Sequence, residues 1–243
     1  MRLLVYNIAY GTGPLDAFYE RLLTAHRYFR TSQTHIDRLI KFIKKANADI
    51  VGLVEVDVGS YRTNYINQAE LVASHLDHYH HYSVKYGKNS IGRNIPILNK
   101  QGNAILTKEK TPDSNFHYFP RGFKKLVIEL DTCGIKLFLV HLALQKSVRR
   151  RQLQHLAKLA KSDAPTIIAG DFNTLSGSHE LDEFMTELNL VNPNKKNQPT
   201  YPAWNPKKQL DYILCSKDIK IKKCKVLKVK HSDHLPLILD FEI

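Results

Sequence analysis

Cysteine is scarce in this chain of 243 residues: Cys133, Cys215 and Cys224 are the three it has. An odd number without C-x-x-C spacing excludes a disulfide framework and a thiolate zinc site, and a reducing compartment, the cytoplasm, is the expectation. Long apolar runs are missing as well. No window reaches the ~18 uninterrupted apolar residues of a membrane span. The opening "MRLLVYNI" has one positive charge, but its apolar run is too short for a secretory segment and meets Asn7 where a small-residue cleavage site would stand, so no export signal is expected. Internal repeats and low-complexity stretches are lacking, and acidic residues are in the minority, 23 against 36 Lys and Arg. Apolar residues, by contrast, make up 43% of the chain, ample for a core. With no linker in evidence, residues 1–243 are expected to form one domain.

The net charge of +13 is unevenly placed. Residues 193–230 hold eleven Lys against Asp211 and Asp218, so this stretch alone supplies +9. Such an asymmetry draws polyanions, with nucleic acid first and an acidic phospholipid surface second, although a solubilising surface fits the composition equally well. No obligate protein partner is predicted.

Periodicity supplies the elements. "RLLVYNI" and "ADIVGLVEV" read as buried strands. Between them Ile36, Leu39, Ile40 and Ile43 fall on one helical face, with Lys44 and Lys45 in the last turn where they suit the helix dipole. "NQAELVASHL" is helical, and 77–101 is polar enough for a loop with one strand at most. "GNAILTK", "KKLVIEL" and "IKLFLVHLAL" are strand-like, the last two joined through "DTCG" as a hairpin. Residues 147–161 return to helical spacing, "PTIIAGDFN" is a strand, and Leu181, Phe184, Met185 and Leu188 mark a helix with Ser178 as N-cap. Strands near 210–215, 224–230 and 235–243 close the chain. Eight or more strands and four helices, with both hairpins and strand-helix-strand passages, predict an α/β sandwich with mixed sheets.

The informative pattern is where the strands stop. "LLVYN" ends on Asn7, "IVGLVE" on Glu55, "FLVH" on His141 and "IIAGD" on Asp171 with Asn173 beyond, while Asp233 and His234 precede the final strand. One polar strand end is usually a cap or turn residue. Five such ends suggest a common rim where separate segments form one pocket. Carboxylates, amides and imidazoles without a thiolate suit Mg²⁺ or Mn²⁺ better than zinc, and such a cation takes phosphate oxygens as ligands. Histidine near neutral pH can move the proton of a water or a leaving oxygen. Phosphoester hydrolysis follows as the expected chemistry.

The segments "VYN", "GLVEVD", "GNAILTK", "VHLAL", "IIAGDFNT", "LDYILCS" and "SDHLPLILDF", in this order, resemble the endonuclease/exonuclease/phosphatase superfamily. The resemblance implies a four-layered α/β sandwich and a metal-dependent phosphoesterase. It makes Glu55 the main metal ligand, with Asn7 and Asp233 as accessory ligands. Asp171 and Asn173 become the pair that positions or activates the attacking water. His234 would stand at the scissile phosphate with Asp211 as its orienting carboxylate, and His141 is the second histidine. Whether Asp171 or the His234/Asp211 pair is the base stays open. Val54 replaces the family's usual glutamine, which bears on packing more than on chemistry, and "VHLAL" departs from the tyrosine-containing segment of apurinic-site endonucleases. "EVDVGSYRT" and "HLALQKSVRRRQLQHL" are similar to a broad group of bacterial hydrolases in the superfamily, some related to lipid-remodelling proteins. The basic stretch at 193–230 makes a nuclease the leading expectation, and the bacterial-type motifs argue for a hydrolase of phospholipid or a small phosphoester as the alternative. A non-catalytic nucleic-acid-binding protein on the same fold is the rival from another class.

Arg62, Asn103 and Arg121 are candidate substrate contacts beside strand ends of the same rim. Arg149, Arg150 and Arg151 either grip phosphate or face solvent from a helix. Tyr61, Tyr201 and Trp204 offer rings for stacking on bases, and Trp204, flanked by prolines, equally suits a loop anchor. His75, His78, His80 and His81 lie close in sequence without an acidic partner, which suits a solvated helix end better than a metal site.

Overall fold

The computed structural model describes residues 1–13, 30–86, 91–112, 114–122 and 124–243. Part of the predicted 77–101 loop, 87–90, lies outside the described residues. Strands, numbered in chain order, form two six-stranded sheets. The first contains β1 (Arg2–Asn7), β2 (Ile50–Asp57), β3 (Tyr79–Val84), β4 (Gln101–Thr107), β11 (Lys220–Val226) and β12 (Leu237–Glu242), in the order β11-β12-β1-β2-β4-β3. The second contains β5 (Asn115–Tyr118), β6 (Leu126–Thr132), β7 (Ile135–His141), β8 (Thr166–Asp171), β9 (Leu190–Val191) and β10 (Asp211–Ser216), in the order β5-β6-β7-β8-β10-β9. Both sheets are mixed, with β1 parallel to β2 and β7 parallel to β8.

Alternation along the strands explains the layers. Leu3 and Val5 of β1 pack with Leu137 and Leu139 of β7, Ile167 and Ala169 of β8 and Leu237 and Leu239 of β12 in one core between the sheets. Leu4 and Tyr6 face the other way, onto α1 (Gln33–Ala46) and α2 (Gln68–Leu76). On the far side, Phe138, Val140 and Ile168 pack under α3 (Lys146–Ala160) and α4 (Asp182–Glu187). The result is the four-layered α/β sandwich, helices outside and sheets within.

Local chemistry sets the boundaries. Ile36, Leu39, Ile40 and Ile43 form the buried stripe of α1, which ends at Asn47 in the left-handed region. Asn67 caps α2 by accepting from the Ala69 amide. Cys133 and Gly134, both at positive φ, make the two-residue β6–β7 turn that matches the twist of its strands. The helix expected from Ser178 differs: Ser178–Leu181 is a 3₁₀ turn entered from Gly177 at φ 119° with no side-chain cap bond, and only Asp182–Glu187 is α-helical. The predicted strand at 224–230 sits earlier, at Lys220–Val226, where Ile221, Cys224 and Val226 pack against the inter-sheet core. β5 and β9 were not anticipated; one is four residues and half exposed, the other two residues long. No helix among the described residues is long and apolar enough to cross a membrane.

Candidate active site

Two rungs of polar residues face each other at one end of the sandwich. In the second sheet, His141, Asp171 and Asp211 stand side by side on β7, β8 and β10, in register. In the first, Asn7 and Asn103 flank Val54. Each polar member continues a row whose other side chains fill the inter-sheet core: Asn7 follows Leu3 and Val5, Asn103 precedes Ile105, His141 follows Leu137 and Leu139, and Asp171 follows Ile167 and Ala169. Asp211 likewise precedes Ile213 and Cys215. The site is therefore the polar end of the central core. The rungs touch where Asn7 Nδ2 donates to Asp171 Oδ2 at 3.1 Å.

Glu55 reaches this place by breaking the alternation. A bulge between Val54 and Val56 makes it the extra residue of β2, at φ 58°, with its amide donating to Asn103 Oδ1 at 3.2 Å. Bulges re-aim a side chain in this way. Glu55 Oε1 lies 3.8 Å from His141 Nε2 and 3.6 Å from Lys85 Nζ. Val54, where the family's glutamine was missing, is a fully buried core residue.

Lys85 escaped the sequence reading because it falls in a stretch expected to be loop. It follows β3 and is buried, its Nζ donating at 2.6 Å to Tyr10 Oη, which donates to Gln101 Oε1 at 3.0 Å. The signal was a lone lysine ending the partly apolar run "YSVKY". Burial pushes this ammonium down to about 8 against the pull of Glu55. Burial would in turn raise the Glu55 carboxyl, but the charges of Lys85 and Lys124 outweigh it and hold it below its ordinary range. Lys124, half-buried between β5 and β6, acts in the same way on Asp171.

The two histidines take opposite charge states. His234 Nδ1 lies 2.8 Å from Asp211 Oδ2, and its Nε2 is 3.9 Å from Asp171 Oδ2. Burial disfavours the imidazolium, yet Asp211 and Asp171 overcome this and raise it to about 10. His141 is held well below its ordinary value by burial, with Lys124 and Lys85 adding to the effect. Burial lifts Asp171 to about 6 in spite of His234. At neutral pH the site thus presents an imidazolium, a neutral imidazole and a carboxylate able to accept a proton.

Asn173 joins the cluster by another route than strand alternation. It lies past β8 at φ 52°, where its amide donates to Asp171 Oδ1 at 3.0 Å and its Nδ2 to the Leu142 carbonyl at 3.0 Å. Phe172 points away and packs edge-on against Tyr212. Asp233 is half-buried beside His234, its carbonyl accepting from the Ala203 amide. Arg62 does not reach the rim. Its guanidinium is fully buried, donating to Asp57 Oδ2 from Nε at 3.0 Å and Nη2 at 2.7 Å and lying over the Tyr10 ring, so its charge is committed beneath the site. Arg121 is exposed, three residues from Lys124. Arg149 is likewise buried, against Glu180 at 2.6 Å, while Arg150 stays exposed. His78 is held by the Leu76 and Ala48 carbonyls and His81 lies 2.8 Å from Thr111 Oγ1, so the four histidines do not gather.

The donor set fits a hard divalent cation. Asp171, Asp211 and His234 converge, with potential ligand atoms within 4.8 Å of one another, and with His234 protonated the oxygens are the donors. Both ring nitrogens of His141, Asn103 Nδ2 and Asp211 Oδ1 are buried without a hydrogen-bonding partner, with His141 Nε2 3.3 Å from Asp171 Oδ2. Orphaned buried polar atoms are costly and mark a place that receives something polar. Carboxylate and amide oxygens without thiolate suit Mg²⁺-like ions, and Cys215 lies inside the apolar core.

Solved structures share the whole fold. An endonuclease/exonuclease/phosphatase from Beutenbergia cavernae aligns over 100% of this chain and 71% of its own, with a TM-score of 0.75 and 17% identity. A mannosyl-6-phosphatase from Bacteroides thetaiotaomicron covers 100% of both chains at a TM-score of 0.69 and 14% identity. An AP endonuclease from Archaeoglobus fulgidus does the same at 0.66 and 15%. At such identities the likeness speaks for the fold alone. No curated protein matches the chain. The sequence model of the Endonuclease/Exonuclease/phosphatase family, however, matches residues 4–234, from β1 through His234. This chain belongs to that family, whose members are metal-dependent phosphoesterases.

Proposed function

We propose that residues 1–243 act as one catalytic domain, a phosphodiesterase that cleaves nucleic acid with Mg²⁺, or Mn²⁺ in its place. The observation that carries the reading is the meeting of Glu55, Asn7, His141, Asp171, Asp211 and His234 at one end of the inter-sheet core. Glu55, Asn7 and Asp233 would hold the cation, which when bound neutralises phosphate charge and stabilises the leaving oxygen. His234, kept protonated by Asp211, donates to a phosphoryl oxygen. Asp171, raised toward neutrality, takes the proton of the water that attacks in line, and Asn173 orients that water. Neutral His141 fills the space between Glu55 and Asp171 and donates to the phosphate. Asn103 sets the Glu55 backbone, and Arg121 and Lys124 flank the entrance. No covalent nucleophile is required.

The basic stretch at 193–230 favours nucleic acid as substrate, and the AP endonuclease among the similar folds accords with it. A second reading, a small phosphomonoester, draws on the Lys85–Lys124 pair and on the similar mannosyl-6-phosphatase. A panel with Mg²⁺ or Mn²⁺ over single- and double-stranded DNA, RNA, phospholipid, sugar and inositol phosphates and bis(p-nitrophenyl) phosphate separates them. Glu55→Gln and His234→Ala should each lower turnover by about two to four powers of ten with the fold intact. Unchanged turnover in either would refute the mechanism. Binding that falls steeply with salt marks the polyanion, and a shallow dependence the small ester.

A further inference from the structure

Beyond the catalytic end, the segment 198–206 is bound to the segment before β12 that carries His234. Ala203 N donates to the Asp233 carbonyl at 2.8 Å and Leu235 N to the Thr200 carbonyl at 2.7 Å. Tyr201 packs its ring 4.9 Å from that of His234 and 6.4 Å from that of Trp204. Next to this ribbon lies a groove of about 460 Å³ with Pro199, Trp204, Pro206 and Leu235 in its walls and Lys228 and Lys230 exposed at its lip. Leu235 is the neighbour of His234 in sequence, so one short segment serves both places.

The groove lies at the end of a basic edge. β11 is the outermost strand of its sheet, and Lys220, Lys222, Lys223 and Lys225 are exposed along it, with Lys228 and Lys230 continuing the row. Lys220 and Lys222 meet Glu242 at 3.3 and 3.0 Å; the others run on toward the groove. No acidic residue lines the groove among the described residues. A flat ring between proline and indole faces, beside repeated ammonium groups, is the arrangement that takes a base together with its phosphate. An acyl chain would meet two charges at the mouth, and a sugar phosphate would leave the apolar walls unused.

We propose that this groove is a subsite for the nucleotide next to the scissile phosphate, with the base on Trp204 and the adjoining phosphates on Lys228, Lys230 and the β11 row. The proposal rests on the nucleic-acid reading of the catalytic site. It makes Trp204 a specificity residue that has no part in the chemical step.

Trp204 is the single tryptophan of the chain, so its emission reports on this groove alone. Glu55→Gln protein in EDTA is titrated with a single-stranded oligonucleotide, with polyphosphate and with phosphatidylserine vesicles, binding being followed in parallel by anisotropy or sedimentation. The expected result is quenching by the oligonucleotide, with no change in emission on binding of polyphosphate or vesicles. Lys228→Glu/Lys230→Glu, both on exposed positions, should weaken oligonucleotide binding about tenfold or more at low salt. Trp204→Ala in the active protein should raise KM for the oligonucleotide about tenfold, within the range of one base stack, and leave hydrolysis of bis(p-nitrophenyl) phosphate unchanged. Oligonucleotide bound without quenching, a vesicle-induced emission shift in its place, or equal cleavage by the variants overturns the subsite while leaving the nuclease reading intact. A wild type that cleaves no nucleic acid in the panel removes the nuclease reading itself.

Discussion

Gly170→Ala tests the closest backbone approach in the site. Gly170 has φ 135°, and a Cβ there would lie 2.0 Å from the Val140 oxygen, 2.9 Å from its carbonyl carbon and 3.1 Å from its nitrogen. The obstacle is backbone, so no rotamer relieves it. Val140 and Gly170 are partners in the parallel β7–β8 ladder, and clearing a Cβ contact moves the strands apart by about 1 Å. That displacement acts one residue before Asp171, whose Oδ2 lies 3.3 Å from His141 Nε2 and 3.1 Å from Asn7 Nδ2. The strained backbone costs about 1–3 kcal/mol, and two ladder bonds lost in the interior about 1 kcal/mol or more each. A sum of about 4 kcal/mol, set against urea m-values of about 1–3 kcal/mol/M, lowers the denaturation midpoint by at least about 1 M. Circular dichroism in urea reads this directly, and turnover of the folded fraction should fall with it. A variant within about 0.5 kcal/mol of wild type, the range of an ordinary surface change, would refute the close approach of β7 and β8 and the reason for glycine there.

Arg62→Met should destabilise by about 3–5 kcal/mol, because Asp57 is left as an unpaired buried carboxylate, while the folded enzyme keeps its KM; a raised KM at unchanged stability would return Arg62 to the substrate. Lys85→Met removes the ammonium 3.6 Å from Glu55, so calorimetry should show a divalent cation binding about tenfold tighter or more, and weaker binding would count against Glu55 as a ligand. Proton linkage isolates His234. Raised from 6.5 to about 10, it stabilises the native state fully below pH 6.5 and loses that contribution as pH climbs toward 10. Lys85, lowered from 10.5 to about 8 and opposite in effect, and Asp171, raised to about 6, titrate at the two ends of the window from 6.5 to 8 and are shared with the comparison variant. In EDTA, wild type should lose about 1.4 kcal/mol per pH unit there relative to Asp211→Asn, and parallel curves from chemical denaturation would refute the imidazolium.

The two-sheet sandwich was legible because its strands alternate or run apolar and its turns carry glycine. The site was legible for the same reason wherever a polar residue closed an inward row, as at Asn7, His141 and Asp171. Lys85 and Lys124 were hidden because long side chains reach the site from connections where no periodicity marks a direction. Arg62 misled for a related reason: an arginine beside a strand end reads as surface, and only the fold shows that Asp57, Ser60 and Thr63 enclose it. Glu55 was read as a strand end, with its metal role taken from its segment's likeness to a family; β2 instead runs on to Asp57, and a bulge cannot be deduced from a run of valines around one carboxylate. The placement of Trp204 beside a groove depended on segments far apart in sequence, 198–206 and 226–235, meeting side by side.

Two settings recur among the positive φ angles of non-glycine residues. Asn47, Asp77 and Cys133 end a helix or turn a hairpin, where the left-handed region is ordinary. Ala9, Tyr10, Glu55 and Asn173 do neither; they surround the rungs of Asn7 and Asp171. The reason is geometric. A pleated strand aims only every second side chain between the sheets, and six strands ending in register could present one polar group each, spaced by the ladder. Bringing Lys85 and His141 within 4 Å of one Glu55 carboxylate oxygen requires the chain to leave the extended conformation beside the strand ends. The strain is held because the rows beneath are the inter-sheet core, closely packed and unable to follow. Strained backbone at Glu55 and Asn173 therefore coincides with the orphaned polar atoms of His141, Asn103 and Asp211 at one end of the sandwich, and the apolar rows that stabilise the fold are the same rows that fix the direction of the groups expected to do the chemistry.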